Sequence, residues 1–263
     1  MENLPLAQSG RTALEVATYA AREAGNIILA RFRSENEIQH KGKSNLVTKA
    51  DILSDKLIVE LLQNEYPECN ILSEESHSST PVVGYTWIVD PLDGTNNYVF
   101  GIPFFCTNIA LAKDGDILLG LTYDPLREEL FHAEKGRGAY LNNLAIHVTK
   151  KESLGASLIA FDLGYNDERG KELLDLSGRL RNQVHCLRTM GSTALGLAYV
   201  ACGRISLYFH RWIYPWDIAS GLLLVSEAGG KVTGWQGNQA NLQSKEIIAS
   251  NHRLHQEFMT YLG

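Results

Sequence analysis

Asp90 and Asp93 stand where an apolar run gives way to a turn that contains glycine. Residues 87–89 form the run, and Gly94 follows the second aspartate. A strand end is a rigid platform, and the turn bends the second carboxylate back toward the first. Hard divalent cations such as Mg²⁺ require oxygen ligands at short, fixed distances, so paired aspartates suit them. The segment therefore predicts a site for divalent cations.

The backbone beside this pair is suited to bind an anion. Gly94 leaves room for a ligand to approach the main chain, and the amides of Gly94 and Thr95 could hold a phosphate group if a helix begins there. An alternative interpretation is a strand followed by an Asx turn, in which both aspartates accept hydrogen bonds from backbone amides. Taken by itself, the segment leaves both interpretations open.

Further acids stand near the ends of apolar runs or the starts of predicted helices elsewhere in the chain. Glu74 and Glu75 come after an apolar pair at 71–72, which suits a strand end, Asp51 comes three residues after a Val-Thr pair, and Asp217 stands near the start of an apolar helix. Each has an ordinary alternative, because adjacent acids are mostly solvated surface charges and an acid at a helix start is a common N-cap. Singly, none of them predicts a function.

Other chemistries do not match the residue spacing. An EF-hand loop needs acids at alternate positions and a Glu at the twelfth, and aspartyl-phosphate enzymes carry D-x-D where this chain has D-x-x-D. The four cysteines include no C-x-x-C pair, which disfavours zinc and predicts free thiols. No Ser/His/Asp or Cys nucleophile motif is evident, which favours direct attack by water.

The elements that must position these acids can be read from hydrophobic periodicity. We predict helices at 10–33, from Asp51 to just before Pro67, at 168–182, at 192–202, and from Trp216 to the Gly229-Gly230 pair. We predict strands at 87–89, 107–111, 117–122, 130–133, 139–141, 158–161, 205–209 and 247–249, with one more ending near 187. Strands and helices in this order, with antiparallel hairpins, indicate an α+β layered sandwich. We expect halves 1–145 and 146–263 within one compact unit.

Composition restricts the possible partners. The 263 residues are 44% hydrophobic and carry a net charge of −6, so there is no basic surplus to hold a nucleic acid backbone. An acidic enzyme that acts on phosphate esters must offset substrate charge locally, and metal ions are the usual means. The apolar runs are too short to span a bilayer and the first residues lack a secretory signal pattern, so we expect a cytoplasmic protein with no membrane partner.

Taken together, the acidic segments resemble the inositol monophosphatase family. The shared positions are Asn45-Leu46-Val47-Thr48 with Asp51, Glu74-Glu75-Ser76, Trp87 with Asp90-Pro91-Leu92-Asp93-Gly94-Thr95, Trp216-Asp217, and Glu227-Ala228-Gly229-Gly230. Their order and spacing match from about residue 10 to about residue 260. The combination of D-P-x-D-G-T with W-D is far more specific than either motif alone.

The resemblance implies a layered αβαβα sandwich of the sugar-phosphatase type, commonly a homodimer, that uses two or three Mg²⁺ ions and is sensitive to lithium. It assigns Glu74, Asp90 and the Leu92 carbonyl to a first metal, and Asp90, Asp93 and Asp217 to a second. Asp51 and Thr95, with Glu74 nearby, match the group that orients the attacking water. The amides of Gly94 and Thr95 match a phosphate cradle, and Lys41 matches a basic residue near the metals, with His40 or Lys43 as alternatives.

The resemblance also indicates where the substrate's polyol or sugar would lie, and where this chain departs from its relatives. Gly191, Ser192 and Thr193 match a loop that contacts the substrate, as do Asp93 and Asp217. Where inositol-specific relatives carry a glutamate, this chain has His210, followed by Arg211. The pair predicts contact with a different or more anionic substrate; the alternative is a surface pair with no substrate role.

Several functions remain open from the sequence. The favoured one is hydrolysis of inositol 1-phosphate to inositol and phosphate by metal-activated water. A fructose-1,6-bisphosphatase or a broad sugar phosphatase is an alternative, in which His210 and Arg211 would hold a second phosphate. A 3′-phosphoadenosine phosphatase and a non-catalytic regulator are weaker alternatives, the latter because the ligand set is intact.

Overall fold

The fold is built from two β-sheets and three layers of helices. The computed structural model describes residues 4–34, 38–40 and 46–262. The helices within these ranges are α1 (Ala13–Arg31), α2 (Lys49–Glu65), α3 (Thr95–Val99), α4 (Asp167–Leu180), α5 (Thr193–Ala201), α6 (Pro215–Glu227) and α7 (His252–Met259). None of these helices is both long and apolar enough to cross a bilayer.

The strands fall into two large sheets and one small ribbon. They are β1 (Ile38–His40), β2 (Leu46–Thr48), β3 (Asn70–Ser73), β4 (Tyr85–Asp93), β5 (Cys106–Lys113), β6 (Asp116–Asp124), β7 (Glu129–Glu134), β8 (Ala139–Leu141), β9 (Leu144–Ala145), β10 (Leu158–Asp162), β11 (Cys186–Thr189), β12 (Leu207–Arg211), β13 (Lys231–Thr233) and β14 (Glu246–Ser250). The first sheet runs β3 to β9 in sequence order, antiparallel except for the β3–β4 pair. The second sheet has the order β11-β10-β12-β14-β13, with β10 parallel to β11 and β12.

The two sheets are covered on both faces, which explains why their central strands are almost wholly buried. Alanines and aliphatic residues of α1 and α2 share one core with the first sheet, including Trp87 and Leu119. Helices α5 and α6 lie between the sheets and share a core with Phe131 and Tyr208. Helices α4 and α7 cover the outer face of the second sheet around Phe209. This arrangement confirms the predicted αβαβα sandwich.

Helix α6 approaches the first sheet unusually closely. A Cβ atom at Gly120 of β6 would lie 2.7 Å from the Cα atom of Ser220, so only glycine fits there. Buried polar contacts fix the helix in this position: Ser220 hydrogen-bonds Thr122 at 2.7 Å, and Asn108 donates to the Trp216 carbonyl at 2.5 Å. Because these contacts hold the first turn of α6, they also hold Asp217.

The predicted helices and strands are present with slightly shifted bounds, but several elements were not predicted. Strands β1, β2, β9 and β13 and helices α3 and α7 are additional. The strand expected to end at Asp90 continues to Asp93, with a register shift against β5 between the two aspartates. The N-cap position considered as the alternative for Asp51 and Asp217 is wrong, because Thr48 and Tyr214 occupy the cap positions and each aspartate is the third helical residue.

A buried histidine links α7 to the second sheet and predicts a pH dependence of stability. His255 hydrogen-bonds Thr233 through Nε2 at 2.8 Å and Ser250 through Nδ1 at 3.2 Å. Burial lowers the pKa of His255 to about 4, whereas an unfolded histidine titrates at about 6.5. The unfolded state therefore binds a proton more readily between these values, and the stability contributed by the neutral ring is lost as pH falls.

Replacing His255 with Gln should reveal this contribution. The free energy of unfolding should be larger for the wild type than for the variant at high pH. We expect this difference to decrease by about 1.4 kcal/mol per pH unit below about pH 6.5. Urea denaturation between pH 8 and pH 5 measures it, with His252→Gln on the exposed face of α7 as the matched control. A difference of constant size across this range would contradict the prediction.

Candidate active site

The turn after β4 is shaped by close packing around Gly94. Its φ is +93°, and a Cβ there would lie 3.0 Å from the Phe104 carbonyl and 3.2 Å from the Gly191 carbonyl. Asp90 Oδ1 accepts from the Leu92 amide at 3.1 Å, so the Asx turn considered as an alternative is also present. One carboxylate oxygen can shape the turn while the other remains available, so the two interpretations are compatible.

Asp51 and Asp217 reach the site from the first turns of α2 and α6. Asp51 Oδ2 accepts from the Thr48 amide at 2.8 Å, and Asp217 Oδ2 accepts from the Tyr214 amide at 2.7 Å. The other oxygen of Asp51 accepts from the Thr95 hydroxyl at 2.9 Å. The predicted Asp51–Thr95 pair is therefore formed across 44 residues of sequence.

Asp93 is bound by the start of α5. Its Oδ2 accepts from the Ser192 hydroxyl at 2.5 Å and from the Ala194 amide at 2.8 Å. Free amides and the helix dipole at an α-helix N-terminus favour a negative charge. This contact brings the predicted loop Gly191, Ser192 and Thr193 from the C-terminal half of the chain against the aspartates of β4.

Most of the predicted site residues line one cleft of about 440 Å³. Those that line it are Glu74, Asp90, Leu92, Asp93, Gly94, Thr95, Gly191, Ser192, Thr193, His210 and Asp217. Asp51 lies behind the wall and reaches the cleft through Thr95. Lys41 and Lys43 lie outside the described residues, as does the side chain of His40.

Arg211 is the predicted substrate contact that the structure does not bring to the cleft. Its guanidinium donates to Glu246 at 2.9 Å, forms an ion pair with Glu172, and lies 5.1 Å from the centre of the Trp235 ring. Successive side chains of a strand point to opposite faces, so His210 and Arg211 of β12 cannot both face the substrate. Of this pair, only His210 lines the cleft, and its contact with the substrate stays a prediction.

The interior of the cleft is rich in carboxyl groups. Burial raises the pKa of Asp90 and Asp217 well above the usual value for aspartate, and the charges of Glu74 and Asp93 raise both further. Burial also raises the pKa of Asp93, against the lowering effect of the Ser192 hydrogen bond. Among the described residues, no lysine or arginine lines the cleft. A phosphate entering it therefore needs positive charge from a bound cation.

This oxygen-rich donor set fits Mg²⁺ with ligands shared between protein and substrate. In the described parts of the chain, no three His, Cys, Asp or Glu side chains are gathered as a complete metal cage. Mg²⁺ is commonly bound by one or two carboxylates, with waters and substrate phosphate oxygens completing its shell. The carboxylates of Asp90, Asp93 and Asp217 and the carbonyl of Leu92 meet that need.

Three residues that shape the cleft were missed by sequence reasoning. Asp162 accepts from the Met190 and Gly191 amides at 2.7 and 2.6 Å, and Asn97 donates to the Met190 carbonyl at 2.8 Å. Tyr165 lines the mouth, where burial, with the charges of Glu74 and Asp217, raises the pKa of its hydroxyl. Of these three residues, only Asp162 could have been found from the sequence. It stands at the end of an apolar run, as Asp90 does.

The fold and the carboxylate-lined cleft together define a metal-dependent phosphatase built on an αβαβα sandwich. Comparison with known proteins identifies it further. The sequence model of the Inositol monophosphatase family matches residues 10–262. The chain belongs to this family of phosphoric monoester hydrolases.

Individual relatives match over nearly their whole length. The chain is 38% identical over 260 residues to "Inositol monophosphatase 2" of Solanum lycopersicum, covering 95% of this chain and 97% of the relative. It is 36% identical over 253 residues to "Nus factor SuhB" of Pasteurella multocida, covering 94% of each. The solved structure of the extragenic suppressor protein suhB from Bartonella henselae superposes with a TM-score of 0.88 at 34% identity, covering 95% of this chain and 97% of that one.

Replacing Asp162 with Ala tests its role in holding the loop that faces the carboxylates. The variant leaves the amides of Met190 and Gly191 and the hydroxyl of Tyr208 without their acceptor. We expect a loss of at least roughly 3 kcal/mol in unfolding free energy, since three donors lose their acceptor and each orphaned buried donor costs about 1–3 kcal/mol. Urea denaturation measures it; Asp175→Ala on the exposed face of α4 should change stability by less than about 0.5 kcal/mol. Equal stability of the two variants would contradict this role.

Proposed function

We propose that this protein hydrolyses phosphate monoesters of small polyols or sugars with Mg²⁺ as cofactor, and that inositol 1-phosphate is the favoured substrate. The observation that carries the proposal is the set of buried carboxylates that face one cleft and raise one another's pKa. Such a set is costly unless a cation offsets its charge. A phosphate ester has the matching need, because its oxygens require the same positive charge.

We assign Glu74, Asp90 and the Leu92 carbonyl to one Mg²⁺, and Asp90, Asp93 and Asp217 to a second; a third ion is left open. When bound, such ions activate water, hold phosphate oxygens and stabilise the leaving alkoxide. Positioning and charge stabilisation account for most of the rate enhancement in phosphoryl transfer. The residues of the protein therefore serve mainly to hold the reacting groups in place.

Asp51 and Thr95 are the proposed pair that orients the attacking water and receives its proton. One carboxylate oxygen of Asp51 accepts a hydrogen bond from the Thr48 amide. The other accepts from the Thr95 hydroxyl at 2.9 Å. Burial raises the pKa of Asp51 to about 6, which brings the carboxylate closer to the pKa of an effective general base near neutral pH. The amides of Gly94 and Thr95 are the proposed contacts of the phosphate.

A sugar bisphosphate is a weaker candidate than a monophosphate. Arg211, the cation expected to bind a second phosphate, is engaged by Glu172 and Glu246. A broad sugar phosphatase and a 3′-phosphoadenosine phosphatase remain alternatives. The relatives named Nus factor SuhB favour the non-catalytic regulator as a further candidate; the intact carboxylate set supports catalysis instead.

Phosphate release from a panel of esters tests the proposed activity. The panel is inositol 1-phosphate, fructose 1,6-bisphosphate, glycerol 2-phosphate and 3′-phosphoadenosine 5′-phosphate, each with Mg²⁺ and with excess chelator. We expect the highest kcat/KM for inositol 1-phosphate and loss of release on chelation, because the cleft then lacks the charge that offsets the phosphate. Release that survives chelation would overturn the metal assignment, and no release from any ester would favour the non-catalytic regulator.

Asp90→Asn tests the shared ligand directly. Loss of a carboxylate assigned to both ions should lower kcat/KM by about 100-fold or more, equivalent to roughly 3 kcal/mol of transition-state stabilisation. Steady-state kinetics across a Mg²⁺ titration measure the loss, with Asp175→Asn on α4 as the matched control. A kcat near the wild-type value at saturating Mg²⁺ would contradict the shared-ligand role.

A further inference from the structure

The side chain of Asn97, on α3, joins separate backbone segments in the wall of the cleft. Its amide nitrogen Nδ2 donates to the Phe104 carbonyl and to the Met190 carbonyl, each at 2.8 Å. An asparagine amide has two hydrogens, so both are used within the protein and none is left to donate to a ligand. The residue is 9% exposed. These contacts indicate that Asn97 holds the cleft wall in place.

The segment held by Asn97 packs directly on its side chain. A Cβ atom at Gly191 would stand 2.8 Å from Asn97 Nδ2 and 2.9 Å from its Oδ1, so a side chain there would displace the amide. Gly191 also has a φ of +77°, which favours glycine for a second reason. Its carbonyl lies 3.2 Å from a Cβ built at Gly94. The two glycines thus allow this segment to reach both Asn97 and the turn after β4.

The same segment is held from the other side by the second sheet. Asp162, at the end of β10, accepts from the amides of Met190 and Gly191 at 2.7 and 2.6 Å. Asn97 binds the Met190 carbonyl from α3, which directly follows β4 of the first sheet. Asn97 therefore ties the segment to the part of the molecule that carries Asp93.

The residues that come next in the chain are those that bind Asp93. The Ser192 hydroxyl and the Ala194 amide both donate to Asp93 Oδ2, at 2.5 and 2.8 Å. Ser192 directly follows the segment held by Asn97, so a displacement of that segment also displaces the donors of Asp93. The orientation of the Asp93 carboxylate therefore depends on the amide of Asn97.

We propose that Asn97 is a positioning residue for the Mg²⁺ assigned to Asp93, because it holds the loop 190–193 where the loop fixes the Asp93 carboxylate. The inference rests on the proposed function, which assigns Asp93 to a Mg²⁺, and adds a residue outside that ligand set. Removing a group that orients a metal ligand commonly lowers metal affinity about 10–100-fold. Asn97 acts one step further from the ion, so the lower end of this range is expected.

Mg²⁺ binding to the Asn97→Asp variant measures this role without turnover. The change keeps the size of the side chain, but it removes both donors and places a carboxylate against two carbonyl oxygens. We expect the dissociation constant of Mg²⁺ to rise about tenfold. Isothermal titration calorimetry of chelator-treated protein, with saturating inorganic phosphate, measures it. The Mg²⁺ concentration for half-maximal hydrolysis of inositol 1-phosphate should rise by a similar factor.

Asn251→Asp is the matched control for a general loss of stability. Asn251 is also 9% exposed, and its Nδ2 donates to the carbonyls of Thr149 and Lys151 at 2.7 and 2.8 Å. Both variants should lower the free energy of unfolding measured with urea, since each loses two buried hydrogen bonds. Asn251 does not line the cleft, so its variant should keep the wild-type dissociation constant of Mg²⁺.

A second variant keeps the test decisive if Asn97→Asp does not fold. Asn97→Ala removes the two donors without adding a charge, and we expect it to raise the dissociation constant of Mg²⁺ as well. Wild-type affinity in a folded variant at Asn97 would overturn the positioning role and leave the proposed function standing. Equal weakening in Asn251→Asp would do the same.

Failure of the proposed function itself gives a different result. In that case the wild-type protein takes up no Mg²⁺ even with inorganic phosphate and releases no phosphate from inositol 1-phosphate. The assignment of Asp93 to an ion is then wrong, and the positioning role of Asn97 is overturned with it.

Discussion

Gathering several carboxylates in one buried cleft costs free energy, and the architecture of this protein holds them together despite that cost. Asp90, Asp93 and Asp217 come from a strand of one sheet and from a helix that lies between the sheets. Their charges raise one another's pKa, so they would separate if the scaffold were loose. The scaffold resists through buried hydrogen bonds that hold α6 against the first sheet, from Thr122 to Ser220 and from Asn108 to the Trp216 carbonyl.

Helix N-termini supply the compensating polarity inside the protein. Asp51 and Asp217 are each the third residue of a helix, and each gives one oxygen to the cap amide. Asp93 instead receives an amide and a hydroxyl from the start of α5. Three helices thus direct their positive ends toward the same acidic cluster. The contacts of these acids with the cap amides are compatible with their proposed roles in the cleft, since different oxygens of one carboxylate can serve each.

The two ends of the cleft differ in their chemistry. One end holds Asp90, Asp93 and Asp217 and is the end proposed to bind the cation and the phosphate. At the other end, Thr193 hydrogen-bonds His210, whose imidazole is neutral because burial lowers its pKa to about 4. The first end comes mainly from the strand-and-turn segment of β4, and the second from β12 and the start of α5.

Local patterns in the sequence were sufficient to predict the layered fold and most of the acidic residues that line the cleft. Hydrophobic periodicity indicated the main helices and the hairpin of β5 and β6, because these depend on neighbours close in the chain. Short elements such as β13 and α3 were missed, since so few residues carry little periodic signal. The roles of Asp162 and Asn97 were also missed, because each depends on contacts with the Met190–Gly191 segment, which is distant in sequence.

By itself, the sequence indicated which residues could bind metal and phosphate, because the acidic segments together resemble one family in order and spacing, although each segment alone also suits a turn, a cap or a surface. The tertiary structure decided which way each side chain faces. It placed His210 in the cleft and turned Arg211 toward Glu172 and Glu246, since adjacent residues of a strand point to opposite faces. Which of those faces borders the cleft depends on how the second sheet packs against α5 and α6, and that packing is not encoded in any local segment.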